Sequence, residues 1–339
     1  MGGGLAACFG KERLLPSSRD MVAHGMNTVT VYNNADVDGK EVDFAHNTGY
    51  APDDPRYAYG LDTTMRMIWE SGRCDDGQPV LWLTSRFGEK CYSWGGTPEP
   101  AFKLMLGEWQ RRKWPEPFSY ATDEPGGSGP RAAAARELLT RIKSWGLPIR
   151  TTTAGLDPET LGKYFDVWIQ GEGGVSQKSV QLARQLDAEV WTYICHGVHQ
   201  NMPFPRALYG FWAARTGVKG VASWAYYDNR RWTADAQGYV AGDPATRLSQ
   251  VCVSPNGPIP TIAWEAIREG VGDYRYLQFL QDLMAHAELL VAELSGRGEK
   301  LLTAEDRQAL DQQQLQRQQR IAELQPPPAI VRWEAETDA

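Results

Sequence analysis

The sequence predicts an α/β fold of the (β/α)8 TIM-barrel type, followed by a short C-terminal helical extension. β-prone runs alternate with helical patterns up to residue 227 and give seven clear β/α units. An eighth strand is available at residues 4–9, and 339 residues are enough for one large barrel. A doubly wound open sheet is the alternative. No G-x-G-x-x-G motif opens a helix, which weakens the dinucleotide-binding version of that fold.

Each predicted element follows from a local pattern. Strands are short runs rich in β-branched and aromatic residues, and helices are longer stretches with apolar residues three or four apart. The helix at 131–145 is well delimited, because Ser128 suits an N-cap and Gly146 suits a helix end. The predicted strands are 4–9, 28–33, 80–84, 118–123, 149–153, 165–170, 189–194 and 220–227. The predicted helices between them are 11–25, 62–74, 100–113, 131–145, 158–164, 175–186 and 205–216.

The chain changes character after residue 227. Residues 228–261 form a long polar segment with Gly and Pro, and a strongly patterned helix follows at 262–284. Two more polar helices are expected at 286–296 and 303–324. The predicted domains are therefore a barrel at 1–284, C-terminal helices at 285–325 and a loose tail at 326–339.

Composition argues against several partners and leaves the compartment and the oligomeric state open. The net charge is −7, and no Lys/Arg cluster is long enough to follow a nucleic-acid backbone. No apolar stretch reaches the length of a membrane span, and the N-terminus lacks the pattern of a signal peptide. The five cysteines are scattered without a CxxC pair, so no metal site, disulfide framework or cofactor is predicted. Thirteen Trp and fourteen Tyr suit a site that stacks on sugar faces, although such rings also fill cores.

Two adjacent acids are the main candidate for chemistry. Asp123 and Glu124 end the predicted strand at 118–123, and Pro125 and a glycine-rich loop follow at once. In a barrel, the carboxyl ends of the strands form the active face. Carboxylates lose hydration when buried, so stability is a poor explanation for acids at this place. An Asp-Glu pair can also be a solvated turn, but its position at a strand end favours a functional interpretation.

The usual scheme of barrel glycosidases needs a second, separated carboxylate. The fourth predicted strand carries Asp123 and Glu124, but the seventh ends at residues 193–196 without a carboxylate. Glu172 and Asp228 follow the sixth and eighth strands and could supply one, for a sugar that lacks an acetamide. A carbohydrate-binding barrel without catalysis is the non-enzymatic alternative.

Adjacent acids also suit substrate-assisted hydrolysis, in which the 2-acetamido oxygen of the sugar attacks the anomeric carbon. One acid orients the amide, and the other protonates the leaving oxygen and then activates water. One carboxyl group must be ionised and its neighbour protonated, which like charge and burial can provide. Because neighbouring side chains on a strand point to opposite faces, both acids reach one substrate only if the strand bends at Asp123.

Four stretches resemble the catalytic domain of family 123 glycoside hydrolases. They are residues 21–32, the strand end 123–125, the run from 205 through 227, and residues 257–277, within a resemblance that covers roughly 15 to 280. The resemblance implies a β-N-acetylgalactosaminidase with a (β/α)8 barrel. It implies that Asp123 orients the amide and Glu124 is the acid/base. Family members usually carry a β-sandwich before the barrel, whereas this chain starts essentially at the barrel; the resemblance allows a secreted or periplasmic location.

Side chains near the predicted strand ends are candidates for binding the sugar. Four aromatic rings are expected to line its floor, although some such rings are expected to fill the barrel instead. A hydroxyl could be bound by Asn33, and His196 lies in the loop after the seventh strand. His196 and His199 lack further ligands in their pattern, so no metal is predicted. The four aromatic candidates are Tyr193, Tyr226, Trp168 and Trp224.

Overall fold

The structure is a computed structural model that divides into two compact units, residues 1–277 and 278–339. The predicted division into barrel, C-terminal helices and tail remains a prediction. The residues that the structure describes are 14–32, 36–38, 41–46, 51–54, 60–72, 80–83, 99–120, 122–194, 203–226, 233–234, 240–241, 250–254, 257–294 and 303–323.

Seven parallel strands form the main sheet of the first unit, and they lie side by side in chain order. A doubly wound sheet would reverse its strand order, so that alternative is not what the structure shows. A separate antiparallel hairpin contains β2 (Asp36–Asp38) and β3 (Glu41–Asp43). The strands of the main sheet are β1 (Val29–Tyr32), β4 (Val80–Leu83), β5 (Pro117–Tyr120), β6 (Arg150–Ala154), β7 (Val167–Gly171), β8 (Glu189–Ile194) and β9 (Gly220–Ser223).

Helices alternate with these strands along the chain. The helices before and between these strands are α1 (Leu14–Ala23), which precedes β1, α2 (Leu61–Glu70), α3 (Glu99–Arg111), α4 (Gly129–Ser144), α5 (Pro158–Leu161), α6 (Gln177–Gln185), α7 (Pro203–Ala207) and α8 (Ala213–Thr216). A π-helical segment, Leu208–Trp212, connects the last two. Gly146 ends the region of α4 in a left-handed conformation, with φ of 62°.

The two faces of the main sheet carry different clusters. Trp168 and Val190 pack with the buried residues of α2, α3 and α4 on the helical face. Their strand neighbours point the other way, because side chains alternate along a strand. We call that second face the inner face. Its buried cluster is Phe118, Ala154, Val167, Ile169 and Trp191, with Tyr120 and Tyr193 packed against it.

The barrel prediction is confirmed only at a coarser level, as a mixed α/β fold with a curled parallel sheet. The predicted first strand at 4–9 lies outside the described residues. No pairing joins β1 to β9 within the described part of the chain. Closure into a (β/α)8 barrel is therefore not confirmed.

The segment at 228–261, predicted only as long and polar with Gly and Pro, contains β-strands. Its described parts form a four-stranded antiparallel sheet of β10 (Thr233–Ala234), β11 (Val240–Ala241), β12 (Val251–Ser254) and β13 (Gly257–Pro260). Pro258 and Pro260 lie in β13, and proline is disfavoured inside a sheet. Because β13 lies at the edge of this sheet, their missing N–H groups break no interior ladder.

The helix predicted at 262–284 continues instead to residue 294, as α9 (Ile262–Leu294). Residues 273–294 contain neither Pro nor Gly, so nothing in the backbone requires the predicted interruption near 285. The last helix is α10 (Ala304–Glu323). Among the helices of the described residues, none has both the length and the apolarity needed to cross a membrane.

Candidate functional site

The chain turns sharply just after β5, where the two acids lie. Thr122 is fixed to β6 because the Thr153 hydroxyl donates to the Thr122 carbonyl over 2.5 Å. Glu124 has a φ of 45°, in the left-handed region that few non-glycine residues adopt. Gly126 then forms a parallel bridge with Leu156. The acids are thus held between two attachments to the neighbouring strand.

This turn lets both acids reach groups of the inner face. The Tyr120 hydroxyl donates to Asp123 Oδ1 over 2.5 Å. The Tyr193 hydroxyl donates to Glu124 Oε1 over 3.2 Å. Both tyrosines pack against the same inner-face cluster. The left-handed conformation at Glu124 therefore overcomes the alternation that would send adjacent side chains to opposite faces.

The surroundings of the two carboxyl groups differ. Asp123 is half-buried, and this burial raises the pKa of its carboxyl above the ordinary value. The Tyr120 hydrogen bond acts in the opposite direction, since it favours the ionised form. The charge of Glu124 raises the pKa of Asp123 further, and the charge of Arg131 lowers it. Glu124 is exposed. The structure thus perturbs the first acid and leaves the second open to solvent.

Gly155 lies directly against Glu124. It follows β6 with a φ of 65°, and its N–H donates to the Ile169 carbonyl over 3.0 Å. A Cβ at this position would lie 3.2 Å from Glu124 Cγ and 3.4 Å from Glu124 Cα. A side chain here would therefore press on the second acid as well as strain the backbone.

The structure places two of the predicted sugar-binding aromatics where a ligand could reach them. Tyr193 is half-buried on the inner face and contacts Glu124. Trp224 follows the carboxyl end of β9 and exposes 40% of its surface. Accessible aromatic rings of this kind can stack on the apolar face of a sugar.

The predictions for Trp168 and Tyr226 need correction. Trp168 is fully buried on the helical face, where its indole N–H bonds to the Gly162 and Phe165 carbonyls. Tyr226 is buried as well, and its hydroxyl donates to Asp20 Oδ2 over 2.8 Å. Neither ring faces the acids, so both have packing roles in this structure.

The structure does not describe the positions of the remaining predicted side chains. Asn33, His196 and Asp228 lie outside the described residues, as does the side chain of Glu172. Their predicted roles therefore stay predictions. Within the described part of the chain, no group of three or more His, Cys, Asp or Glu side chains could hold a metal ion.

Tyr120, Thr153 and Gly155 complete the site, and the sequence interpretation missed them. The spacing of Tyr120 from Phe118 and Asp123 could have identified it as a residue of the site. It lies two residues after the apolar Phe118 and three before Asp123, so it shares the inner face and reaches back to the strand end. Thr153 and Gly155 come from the next strand, and sequence alone does not give the register that brings them here.

No known protein family and no curated protein matches the chain. Among solved structures, it is similar to the catalytic module of a family 98 glycoside hydrolase from Streptococcus pneumoniae TIGR4, with a TM-score of 0.31 and 10% sequence identity. That match covers 67% of this chain and 43% of the other, so the chain spans less than half the length of that structure. Membership of family 123 is not confirmed, and a similarity this low carries no argument about function.

Proposed function

We propose that the protein is a glycosidase that removes terminal 2-acetamido-2-deoxy sugars, of the β-N-acetylgalactosaminide type, by substrate-assisted retaining hydrolysis. One observation carries the proposal. Asp123 and Glu124 are adjacent in the chain, and yet each is held by a tyrosine of the same inner face. Two adjacent acids on one side of a substrate are what this mechanism requires.

In the first step, the acetamide carbonyl oxygen attacks the anomeric carbon while the glycosidic C–O bond breaks. The electron pair of that bond goes to the leaving oxygen, which takes the proton of Glu124. Asp123 accepts a hydrogen bond from the amide N–H as the amide becomes positively charged. In the second step, Glu124 takes a proton from water, the water oxygen bonds to the anomeric carbon, and the oxazoline C–O bond opens. The acetamide is restored and the anomeric configuration is retained.

The raised pKa of Asp123 acts against the ionised form that its role requires, but it makes that form the stronger hydrogen-bond acceptor. A carboxylate of higher basicity is a better acceptor for an N–H group that becomes more acidic during the reaction. The Tyr120 hydrogen bond keeps the carboxylate oriented and favours its ionised form.

The finer architecture belongs to the same proposal, namely a (β/α)8 barrel closed by residues 4–9. Leu14 and Met21 of α1 pack with Ile194, Tyr226 and Trp264, while α1 also contacts α2. A cavity of about 280 Å³ lies between β1 and β9, with Thr28, Thr30 and residues 220–223 in its lining. The helix layer thus continues past the gap between β1 and β9. The cavity lies in that gap, where a closing strand would fit.

The proposed activity is tested with an aryl N-acetyl-β-galactosaminide. We expect hydrolysis by the wild type, inhibition by a thiazoline mimic of the oxazoline, and a loss of kcat of about 10²- to 10⁴-fold in Glu124→Gln. The loss should be greatest for poor leaving groups, because these depend most on protonation. Glu137→Gln, which changes an exposed glutamate of α4, is the control and should keep full activity.

Two outcomes would overturn this assignment. Full activity in Glu124→Gln would remove Glu124 as the acid/base. Hydrolysis without thiazoline inhibition, together with a strong loss in Glu172→Gln or Asp228→Asn, would favour separated carboxylates acting on another sugar. Binding of glycosides without any turnover would favour a carbohydrate-binding protein.

A further inference from the structure

One face of α9 is apolar and exposed along the C-terminal half of the helix. Its large side chains each expose between 45% and 73% of their surface. Ala287 lies among them and is exposed as well. We call this set the α9 stripe: Tyr276, Leu280, Leu283, Met284, Ala287, Leu290 and Val291.

The spacing of the stripe is that of a helix-pairing seam. Five of its members follow one another at intervals of four, three, four and three residues, at positions 276, 280, 283, 287 and 290. This is the a/d repeat by which one helix packs its side chains into the gaps of another. Met284 and Val291 flank the seam on one side and widen its apolar surface.

The charges around the stripe favour an identical partner. Asp282 and Glu288 lie off the seam, at the c and b positions of the repeat. The positions directly beside the seam between residues 276 and 291 are Leu277, Phe279, Met284, His286 and Val291, without an acid, a lysine or an arginine; the next such position is Glu293, beyond the last seam residue. Charges at such positions normally select a different partner or repel a like one. Between residues 276 and 291 no such charge opposes pairing with a second copy.

The exposed area is also close to what a dimer needs. Six large side chains that are each about half exposed present on the order of 600 Å² of apolar surface, and monomers rarely leave patches above about 600 Å² uncovered. A stable interface buries roughly 800 Å² on each partner. The flanking residues of the repeat can supply the difference.

We propose that the α9 stripe is the interface of a homodimer. The stripe of one copy packs against the same stripe of a second copy, with Leu283 near its centre. Because the same surface is used by both copies, the contact is self-complementary and closes at two subunits.

The test is the mass of the full-length protein in solution, measured by sedimentation velocity over a range of micromolar concentrations. We expect a dimer for the wild type and a monomer for Leu283→Glu, since an unpaired charge in an apolar seam is costly. Ala285→Glu adds the same charge to the f position, away from the seam, and should remain dimeric. Leu290→Ala should raise the dimer dissociation constant at least about tenfold, which corresponds to about 1.4 kcal/mol.

Circular dichroism of each variant separates loss of pairing from loss of folding. If Leu283→Glu unfolds, Leu290→Ala with unchanged helicity still decides the question. A monomeric wild type would overturn the proposal, and so would a dimer whose dissociation constant neither substitution changes. Glycoside hydrolysis is not involved, so failure here is independent of the proposed activity.

Discussion

Asp123 and Tyr120 form a hydrogen bond of 2.5 Å that sets the properties of the site at the scale of single residues. Burial raises the pKa of Asp123, and the tyrosine hydroxyl counters that effect by stabilising the carboxylate. The proposed mechanism needs the ionised form of Asp123. Activity should therefore fall as the pH is lowered through this raised pKa.

Tyr120→Phe removes the counteracting hydrogen bond, so the pKa of Asp123 should rise further. We expect the acidic limb of the kcat/KM profile to move to higher pH, with a smaller effect above that limb. The measurement is a pH–rate profile beside that of Tyr164→Phe, which changes a half-buried tyrosine on the helical face. An unchanged acidic limb, or one displaced to lower pH, would contradict the role given to Tyr120.

The sequence located the two acids but not the groups that tune them. Asp123 and Glu124 could be found because Pro125 and glycines directly after a β-prone run mark a strand end. Trp168 was assigned to the wrong face, because its neighbours Val167 and Ile169 are also apolar and give no alternation. Tyr226 lies beyond the end of β9, where the period of the strand no longer predicts direction.

At the scale of elements, the turn after β6 holds the turn after β5 in place. Gly126 N–H donates to the Gly155 carbonyl over 3.2 Å, and Asp157 N–H donates to the Gly126 carbonyl over 3.1 Å. A Cβ at Gly155 would lie 3.2 Å from Glu124 Cγ, so a side chain there would make Glu124 shift. The position of the second acid thus depends on a neighbouring strand.

Gly155→Ala should both strain the backbone and displace Glu124. A left-handed conformation destabilises a residue with a Cβ by roughly 1–2 kcal/mol. Glu124 would have to shift by a few tenths of an ångström, and a displacement of about 1 Å can cost on the order of 10²-fold in rate. We expect lower stability in urea and a large loss of kcat/KM.

Gly146→Ala is the matched control for that substitution. Gly146 also has a left-handed φ, 62°, but a Cβ there would meet nothing within 4 Å. It should lose similar stability and keep its activity. Equal activity losses in the two variants would show that Gly155 acts through stability alone.

Predicted elements were most reliable where one pattern dominated. The strands of the main sheet and α4 follow from β-prone runs and from the Ser128–Gly146 limits. β13 was missed because edge strands tolerate the prolines that argue against interior ones. The prediction divided the continuous α9 near residue 285, although residues 285–294 are mostly apolar and nothing there breaks a helix.

At the scale of the whole molecule, a half-buried acid connects three distant parts of the first unit. Asp20 of α1 accepts hydrogen bonds from Tyr226, after β9, and from Trp264 of α9. Burial raises the pKa of the Asp20 carboxyl, although these bonds and the charge of His24 lower it. The folded protein therefore holds the Asp20 proton more tightly than the unfolded chain does.

This contribution to stability is fully present below the ordinary pKa of an aspartate, about 4, and is lost as the pH rises through the raised folded value. Asp20→Asn removes the titration and can keep an acceptor for both donors. We expect the stability of the wild type relative to Asp20→Asn to decrease between pH 4 and pH 7 in urea unfolding. Asp53→Asn, at an exposed position, should show no such trend; a constant difference for Asp20→Asn would contradict the assignment.

The order of the sheet could be predicted from the alternation of strands and helices, whereas the closure of the sheet into a barrel could not. Alternating strands and helices give a sheet in chain order, because short connections bring consecutive parallel strands together. Whether such a sheet closes depends on one strand at the N-terminus, where Gly2, Gly3 and Gly4 weaken the β pattern. The candidate site uses only the carboxyl ends of β5, β6 and β8, and the structure describes all three.

The central claim is that the acetamide of the substrate is the nucleophile, assisted by Asp123 and Glu124. Fluorination of the acetamide methyl makes its carbonyl oxygen a poorer nucleophile with little change in size. The decisive measurement is kcat/KM for aryl β-galactosaminides that carry acetyl, fluoroacetyl, difluoroacetyl and trifluoroacetyl groups. The account predicts a steep, stepwise fall in rate along this series. Rates that do not depend on fluorination, or equal hydrolysis of the aryl galactoside that lacks the amide, would contradict it.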